Sequence, residues 1–121
     1  MKTDTRTTYT LIQNMGEHQD IPQDGILTRT ILDDDQLKTV LFTFSKDQEL
    51  SEHTASMPAV LHFLEGTALL TLGDDTMTVH SGAWVHMPAE MRHSIRTQTP
   101  VKMLLLLIKR SDSVRSGDQT P

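Results

Sequence analysis

The chain has 121 residues, a formal net charge of -5 and no cysteine, which fits a single domain and excludes thiolate metal sites, thiol nucleophiles and disulfides. Its five aromatic residues and its scattered lysines and arginines form neither a stacking surface nor a basic stripe, so nucleic acid is not an expected partner. The longest apolar run, 103–108, is too short to span a bilayer, and residues 1–16 lack the apolar core of a signal peptide. We therefore expect a cytoplasmic protein with no membrane partner.

The two ends of the chain are predicted to lie outside the folded domain. Residues 1–21 are mostly polar, which predicts a loosely ordered N-terminal arm with one short helix or strand around Tyr9 to Ile12. Residues 111–121 combine Ser, Asp, Gly and Pro without hydrophobic periodicity, which predicts a disordered tail. The domain is therefore expected over residues 22–110.

Between these ends, short apolar and β-branched segments alternate with polar or glycine-containing turns. The segments, in chain order, are 26–32, 37–44, 59–66, 67–73, 76–82, 83–88, 93–98 and 101–110. Many short strands joined by tight turns predict an all-β sandwich or barrel. The run MLLLLI at 103–108 follows this series of strands, and we interpret it as a strand buried on both faces.

The stretch GAWVHMPAEMRHSIRT contains Gly82, Pro88 and His93, separated by five and then four residues. This spacing resembles the second motif of the cupin family, G-x5-P-x-G-x2-H-x3-N. Glu90 stands where that motif has its second glycine, and Thr97 stands where it has asparagine. The resemblance implies a small antiparallel jelly-roll barrel, in which the motif histidines converge on a metal ion.

The stretch HTASMPAVLHFLEG resembles the first cupin motif, G-x5-H-x-H-x3,4-E-x6-G. His53 occupies the first histidine position, but Ala55 replaces the second histidine and Ala59 replaces the glutamate. Asp47 replaces the leading glycine. The resemblance therefore implies a depleted metal box, in which His53 and His93 project from neighbouring strands into the barrel.

A third metal ligand would have to come from elsewhere, because first-row metals usually need three protein donors. His62 is the candidate, although the alternation of a strand places it on the face opposite to position 59, so that only a β-bulge would turn it inward. Three further residues are interpreted as surface or subunit contacts: His80, Trp84 and His86.

A histidine on an apolar barrel wall needs partners for its ring nitrogens, which favours ligand binding by His53 and His93 over a purely structural role. We expect a barrel that binds a small organic ligand at these two residues. A weakly bound divalent metal (Zn, Ni, Fe or Mn), held by His53, His93 and His62, is compatible with this function, and no other cofactor is expected.

Two alternatives stay open at this point. The first is a metal-dependent cupin enzyme of the dioxygenase or isomerase type, which uses His53 and His93 with a third donor and whose catalytic residues are unassigned. The second is a non-catalytic dimerising scaffold. A homodimer is expected in any case, because sheet edges and an outer apolar face near Val60 and Trp84 require cover.

Overall fold

Nine β-strands make up the domain. The computed structural model of the protein describes residues 8–109. Its strands, in chain order, are β1 (Ile26–Asp33), β2 (Leu37–Phe44), β3 (Glu49–His53), β4 (Ala59–Glu65), β5 (Ala68–Leu72), β6 (Asp75–Val79), β7 (Trp84–Met87), β8 (His93–Thr97) and β9 (Val101–Ile108). A short 3-10 helix, Met15–His18, precedes β1. No helix in this part of the chain is long and apolar enough to cross a membrane.

The strands form two antiparallel sheets. Sheet A has five strands in the order β1-β2-β9-β4-β7, and sheet B has four strands in the order β3-β8-β5-β6. From β2 onward the chain crosses between the sheets repeatedly, and only the connection from β5 to β6 stays within one sheet. This topology is the all-β jelly-roll barrel that the sequence predicts, which is thereby confirmed.

The inward side chains of the two sheets meet in one apolar core. Alternation along each strand sends every second residue inward, and the inward positions of β4 and β9 are apolar, while β8 adds Ile95 to the core. Burial of one such side chain contributes about 1.5–3 kcal/mol relative to its exposure. The largest fully buried residues of this core are Phe44, Leu61, Phe63, Leu70, Met87, Ile95 and Met103.

Two local elements differ from the sequence-based expectation. The apolar segments predicted from the sequence do not include strand β3. It is an edge strand whose residues are mostly exposed, and only Leu50 packs against the core. In the arm, the short helix lies at Met15–His18 rather than around Tyr9 to Ile12. The predicted tail, 111–121, lies outside the described residues.

The arm crosses one end of the outer face of sheet A. Gln19 Nε2 donates a hydrogen bond to Thr43 Oγ1 at 3.1 Å. Lys102 Nζ donates to the carbonyl oxygen of Gly16 at 2.6 Å. Because Thr43 lies on β2 and Lys102 on β9, the arm spans two adjacent strands of the sheet.

Backbone conformation explains the glycines of the two motifs. Asp47 and Glu90, which replace motif glycines, have φ values of 60° and 68°. This left-handed region costs a residue with a side chain about 1–2 kcal/mol. Gly66, which closes the first motif, has a φ of 95°, and a Cβ atom there would collide with the carbonyl oxygen of Pro100. The motif glycines therefore mark backbone turns of the barrel.

Candidate functional site

His53 and His93 lie side by side at one end of the barrel. They are direct cross-strand partners in the β3–β8 pair, their ring centroids are 4.2 Å apart and their planes are inclined at 57°. His93 is buried, with 6% of its surface exposed, whereas His53 is exposed. The structure thus brings the two predicted site residues together, one ring in the interior and one at the solvent.

A β-bulge in β3 turns His53 toward His93. Leu50 pairs with Ile95 and packs against the core, so strict alternation would direct position 53 to the outer face. The register shifts between Leu50 and His53, so that three steps along β3 match two steps along β8. The extra residue places His53 on the inner face, beside His93.

Backbone carbonyl groups hold both imidazoles in one tautomer. Nδ1 of His53 lies 2.8 Å from the carbonyl oxygen of Ser51, and Nδ1 of His93 lies 3.0 Å from that of Met91. A carbonyl oxygen only accepts hydrogen bonds, so each Nδ1 carries the proton. In the neutral ring the lone pair then lies on Nε2. Each histidine therefore presents an acceptor atom for a ligand donor or a cation.

Burial favours the neutral form of His93. Desolvation is the largest effect and lowers the pKa of His93, while the hydrogen bond to the Met91 carbonyl raises it and the nearby His53 lowers it. The net shift is downward, because an imidazolium ion loses more hydration than a neutral imidazole when it is buried. His93 therefore keeps its Nε2 lone pair in more acidic solution than a free imidazole.

A group of charged residues flanks the histidine pair. Arg92 donates hydrogen bonds to Asp74 at 3.2 Å and to Glu52 at 3.0 Å, and all three side chains are more than half exposed. The hydrogen bond to Asp74 has the largest effect on the pKa of Arg92, and both hydrogen bonds raise it. Both carboxylates are thus paired with a cation.

The two motif positions that lack a ligand carry only methyl groups. Ala59 is 1% exposed and belongs to the core, and Ala55 lies in the loop between β3 and β4. Across residues 8–109, no three side chains of His, Cys, Asp or Glu are grouped so that they could hold a metal ion. The donors present fit an ion held by two nitrogen atoms and completed by water, and they do not fit a closed site of four protein ligands.

His62 does not join the pair. It lies on β4 in sheet A, opposite Trp84 and Leu104, and its chain neighbours Leu61 and Phe63 pack into the core. The bulge in β4 follows Phe63, too late to reverse the orientation of His62. The side chain is therefore directed to the outer face of the barrel, so this geometry gives no support to His62 as a third donor.

The run Asp33–Asp35 has a structural explanation. Asp34 Oδ1 accepts the backbone N–H groups of Gln36 and Leu37 at 2.8 and 2.9 Å, and these bonds lower the pKa of Asp34. Lys109 Nζ donates to Asp33 Oδ1 and to the Asp34 carbonyl oxygen. A surface depression along residues 34–36 includes neither histidine of the pair. The run closes the β1–β2 turn.

Comparison with protein families and solved structures agrees with this fold. The family model of the cupin domain matches residues 40–108, more than half of the chain. A conserved protein of unknown function from Streptococcus pyogenes is 26% identical, with 92% of this chain and 97% of that chain covered and a TM-score of 0.76. The search of curated proteins found no match.

Two further solved structures share the fold at lower identity. A cupin superfamily protein from Desulfitobacterium hafniense is 21% identical, with 76% of this chain and 84% of that chain covered and a TM-score of 0.72. KdgF from Halomonas sp. is 17% identical, with 89% of this chain and 99% of that chain covered and a TM-score of 0.72. Similarity at this level concerns the barrel and carries no assignment of activity.

Proposed function

Because the chain belongs to the cupin family, we propose that it binds a small organic ligand at one end of its barrel, with His53 and His93 as the polar anchors. The observation that carries this proposal is the pair of Nε2 lone pairs, since both protons are held on Nδ1 by backbone carbonyl groups. Two adjacent neutral imidazoles accept hydrogen bonds from hydroxyl, amide or ammonium groups. Such a pair can orient a ligand that carries hydrogen-bond donors.

The surroundings of the pair favour a ligand without strong charge. Leu72, the cross-strand partner of His93, and Met91 pack against the apolar core. The carboxylates of Glu52 and Asp74 are paired with Arg92, so they attract a cationic ligand less than free carboxylates would. An apolar floor with two uncharged acceptors suits a compact molecule that has an apolar part and one or two hydrogen-bond donors.

Nuclear magnetic resonance of the imidazole nitrogens tests this proposal. A library of small hydroxylated and amidated compounds is screened, and a binding compound is expected to shift the Nε2 signals of His53 and His93 while both Nδ1 protons are retained. Binding should be lost in His53→Ala and kept in the matched variant His80→Ala, which removes an exposed histidine from the turn after β6. Equal binding by His53→Ala and the unmodified protein would refute the proposal.

A weakly held divalent cation (Zn, Ni, Fe or Mn) is the second candidate, and a specific observation favours it. Histidines that bind metals usually donate their other ring N–H to a carbonyl or carboxylate, as both histidines of this pair do. His53 and His93 would hold the ion, and water would complete its coordination. When bound, such an ion supplies Lewis-acid chemistry, which is what the alternative of a metal-dependent enzyme requires.

Calorimetric titration of chelator-treated protein with Zn²⁺ or Ni²⁺ tests this second candidate. We expect affinity far below that of a three-nitrogen site, one ion per chain, and loss of binding in His53→Ala. Elemental analysis of protein purified without added metal provides the independent measurement. A tightly held stoichiometric ion would contradict the expectation of weak binding by two nitrogens.

A further inference from the structure

The end of the barrel that carries the histidine pair is bordered by one transverse row of residues from each sheet. In sheet B the row consists of the cross-strand partners His53, His93, Leu72 and Asp75. In sheet A it consists of Asp33, Lys38, Leu107, Ala59 and Met87. The connections 54–58 and 88–92 join the two rows, so both rows lie at the same end of the barrel. We call these two rows the rim.

Short connections at the opposite end of the barrel determine which strands face each other. The segments 45–48, 66–67 and 80–83 join β2 to β3, β4 to β5 and β6 to β7, and each of these pairs combines a strand of sheet A with a strand of sheet B. Strands joined by such short connections are adjacent in space. The strands between them, β9 and β8, then also face each other. Across the rim, Lys38 on β2 therefore faces His53 on β3, and Leu107 on β9 faces His93 on β8.

The rim is open where β9 reaches it. Along the inner face of β9, Val101 and Met103 are fully buried, whereas Leu105 and Leu107 are only half-buried although they too pack against the core. On the facing sheet, His53 is exposed. Inward apolar side chains that stay partly exposed indicate a space between the sheets at this end, as an entry for a small molecule requires.

Lys38 begins on the inner face of sheet A. Strand β2 pairs with β9 in unbroken register from Leu37 to Phe44, so alternation from Phe44 through Phe42 gives Lys38 the same face as these two core residues. The rings of Phe42 and Phe44 stack with centroids 5.9 Å apart, which agrees with a common face. Lys38 is half-buried there. A lysine on an inner, largely apolar face usually has a partner for its ammonium group.

The carboxylates of the described chain do not supply that partner. Within residues 8–109, every ion pair is made by Arg92, Arg96 or Lys109. Asp33, the cross-strand neighbour of Lys38, accepts a hydrogen bond from Lys109 Nζ. This hydrogen bond has the largest effect on the pKa of Asp33 and lowers it, and the charges of Lys109 and Lys38 lower it as well. Lys109 thus neutralises Asp33, and the ammonium group of Lys38 stays available to an anion.

We propose that Lys38 binds the carboxylate of a small hydroxy acid whose hydroxyl group donates to Nε2 of His53 or His93. This inference rests on the ligand site proposed at the histidine pair and names the class of its ligand. The two sheets lie about 10 Å apart, so the long lysine side chain and the facing imidazoles reach toward one molecule between them. Leu107, the cross-strand partner of Lys38, contacts the hydrocarbon part of the ligand. The uncharged end of the acid then lies at the histidines and its charged end lies across the rim.

Matched acids and amides test the proposal on the full chain. Calorimetric titration at neutral pH compares para-hydroxybenzoate with para-hydroxybenzamide, and γ-hydroxybutyrate with γ-hydroxybutyramide. In each pair that binds, we expect the unmodified protein to bind the acid about tenfold more tightly than the amide, because a charge-assisted hydrogen bond to a carboxylate is stronger than one to a neutral group. Lys38→Met should reduce the affinity for the acid to that for the amide, and Lys38→Arg should restore the preference.

The matched control is Lys46→Met, which removes an exposed lysine from the connection between β2 and β3 at the other end of the barrel and should keep the preference. Equal effects of Lys46→Met and Lys38→Met would overturn the proposal, because the attraction would then come from the overall charge.

Equal binding of acid and amide by the unmodified protein would also overturn the proposal. If that binding is lost in His53→Ala, the ligand site at the histidine pair stands without the role of Lys38. Absence of binding by both acids would overturn the ligand class named for this site, whereas the broader screen of neutral compounds decides on the site itself.

Discussion

The backbone N–H of Glu90 donates to the carbonyl oxygen of Ala55 at 2.7 Å. The residue that replaces a glycine of the second motif is thus bonded to the residue that replaces a histidine of the first. This bond joins the loop that follows β3 to the loop that precedes β8. The loops that flank His53 and His93 therefore support each other, although both sequences depart from the family motif here.

Relief of the backbone strain at Glu90 should stabilise the protein. Glu90→Gly removes a left-handed backbone strain of about 1–2 kcal/mol, which raises stability. It also raises the conformational entropy of the unfolded chain, which lowers stability by about 0.4–1 kcal/mol. We expect a net increase of about 0.5–1 kcal/mol in the free energy of unfolding, measured by urea denaturation. The neighbouring Ala89→Gly adds the same entropy without relieving strain, so it should destabilise. A loss of stability in both variants would show that the Glu90 side chain makes a stabilising contact.

Stability should fall in mildly acidic solution because of His93. Its pKa is lowered in the folded state, chiefly by burial, so the unfolded chain binds a proton at a pH near 6.5 where folded His93 does not. Above that pH both states are neutral and the effect is absent. Below it the free energy of unfolding decreases, by at most about 1.4 kcal/mol per pH unit for one proton, until the folded state is protonated too.

Denaturation at a series of pH values measures this contribution. His93→Asn retains an N–H donor without a titrating ring, so the decrease below pH ~6.5 should become shallower in this variant. His18→Asn, which alters an exposed histidine of the arm, should keep the slope of the unmodified protein. Identical slopes in the unmodified protein and His93→Asn would exclude His93 as the source.

The close approach at Gly66 makes one glycine substitution much more costly than another. Gly66→Ala combines a φ of 95° with a collision against the backbone at Pro100. We expect a loss of more than about 3 kcal/mol in the free energy of unfolding, measured by thermal and urea denaturation. Gly73→Ala has a φ of 60° but no atom within 4 Å of the added carbon, so only about 1–2 kcal/mol should be lost. Similar losses in the two variants would contradict this account.

A third nitrogen donor should convert the histidine pair into a stronger metal site. Ala55 stands at the position where the first motif has its second histidine, so Ala55→His is expected to increase the affinity for Zn²⁺ by at least about tenfold. Calorimetric titration measures the change. Ser56→His places the same side chain one residue further along an exposed loop and should leave the affinity unchanged. An equal gain in both variants would indicate nonspecific binding by an added histidine.

Much of the barrel could be predicted from the sequence, because its central strands bury every second residue or more and therefore have a recognisable apolar pattern. Segment 37–44 is rich in apolar and β-branched residues, and segment 101–108, whose leucines alone also suit a helix, is interpreted as a strand because it follows a series of strands. Strand β3 could not be found in this way, since an edge strand with one packed residue has no apolar pattern. The outward direction of His62 followed from alternation together with the inward position that the resemblance implies for Ala59.

The pairing of His53 with His93 depends on features that residue types do not encode. Spacing within the two motifs indicated both positions, but regular alternation from Leu50 gives His53 the wrong face. The bulge that corrects the orientation has no compositional signal in the polar sequence of β3. The Nδ1 hydrogen bonds depend on the backbone path at Ser51 and Met91 and became visible only in three dimensions.

The extra residue in β3 also decides which chemical group stands opposite His93. In a strand of regular register, Glu52 would take that place, and an imidazole beside a carboxylate would form a hydrogen-bonded acid–base couple. With the bulge, Glu52 instead points outward to Arg92, and an imidazole faces an imidazole. The same five residues of β3 thus encode two different side-chain couples, and the position of one irregular backbone step selects the pair of imidazoles.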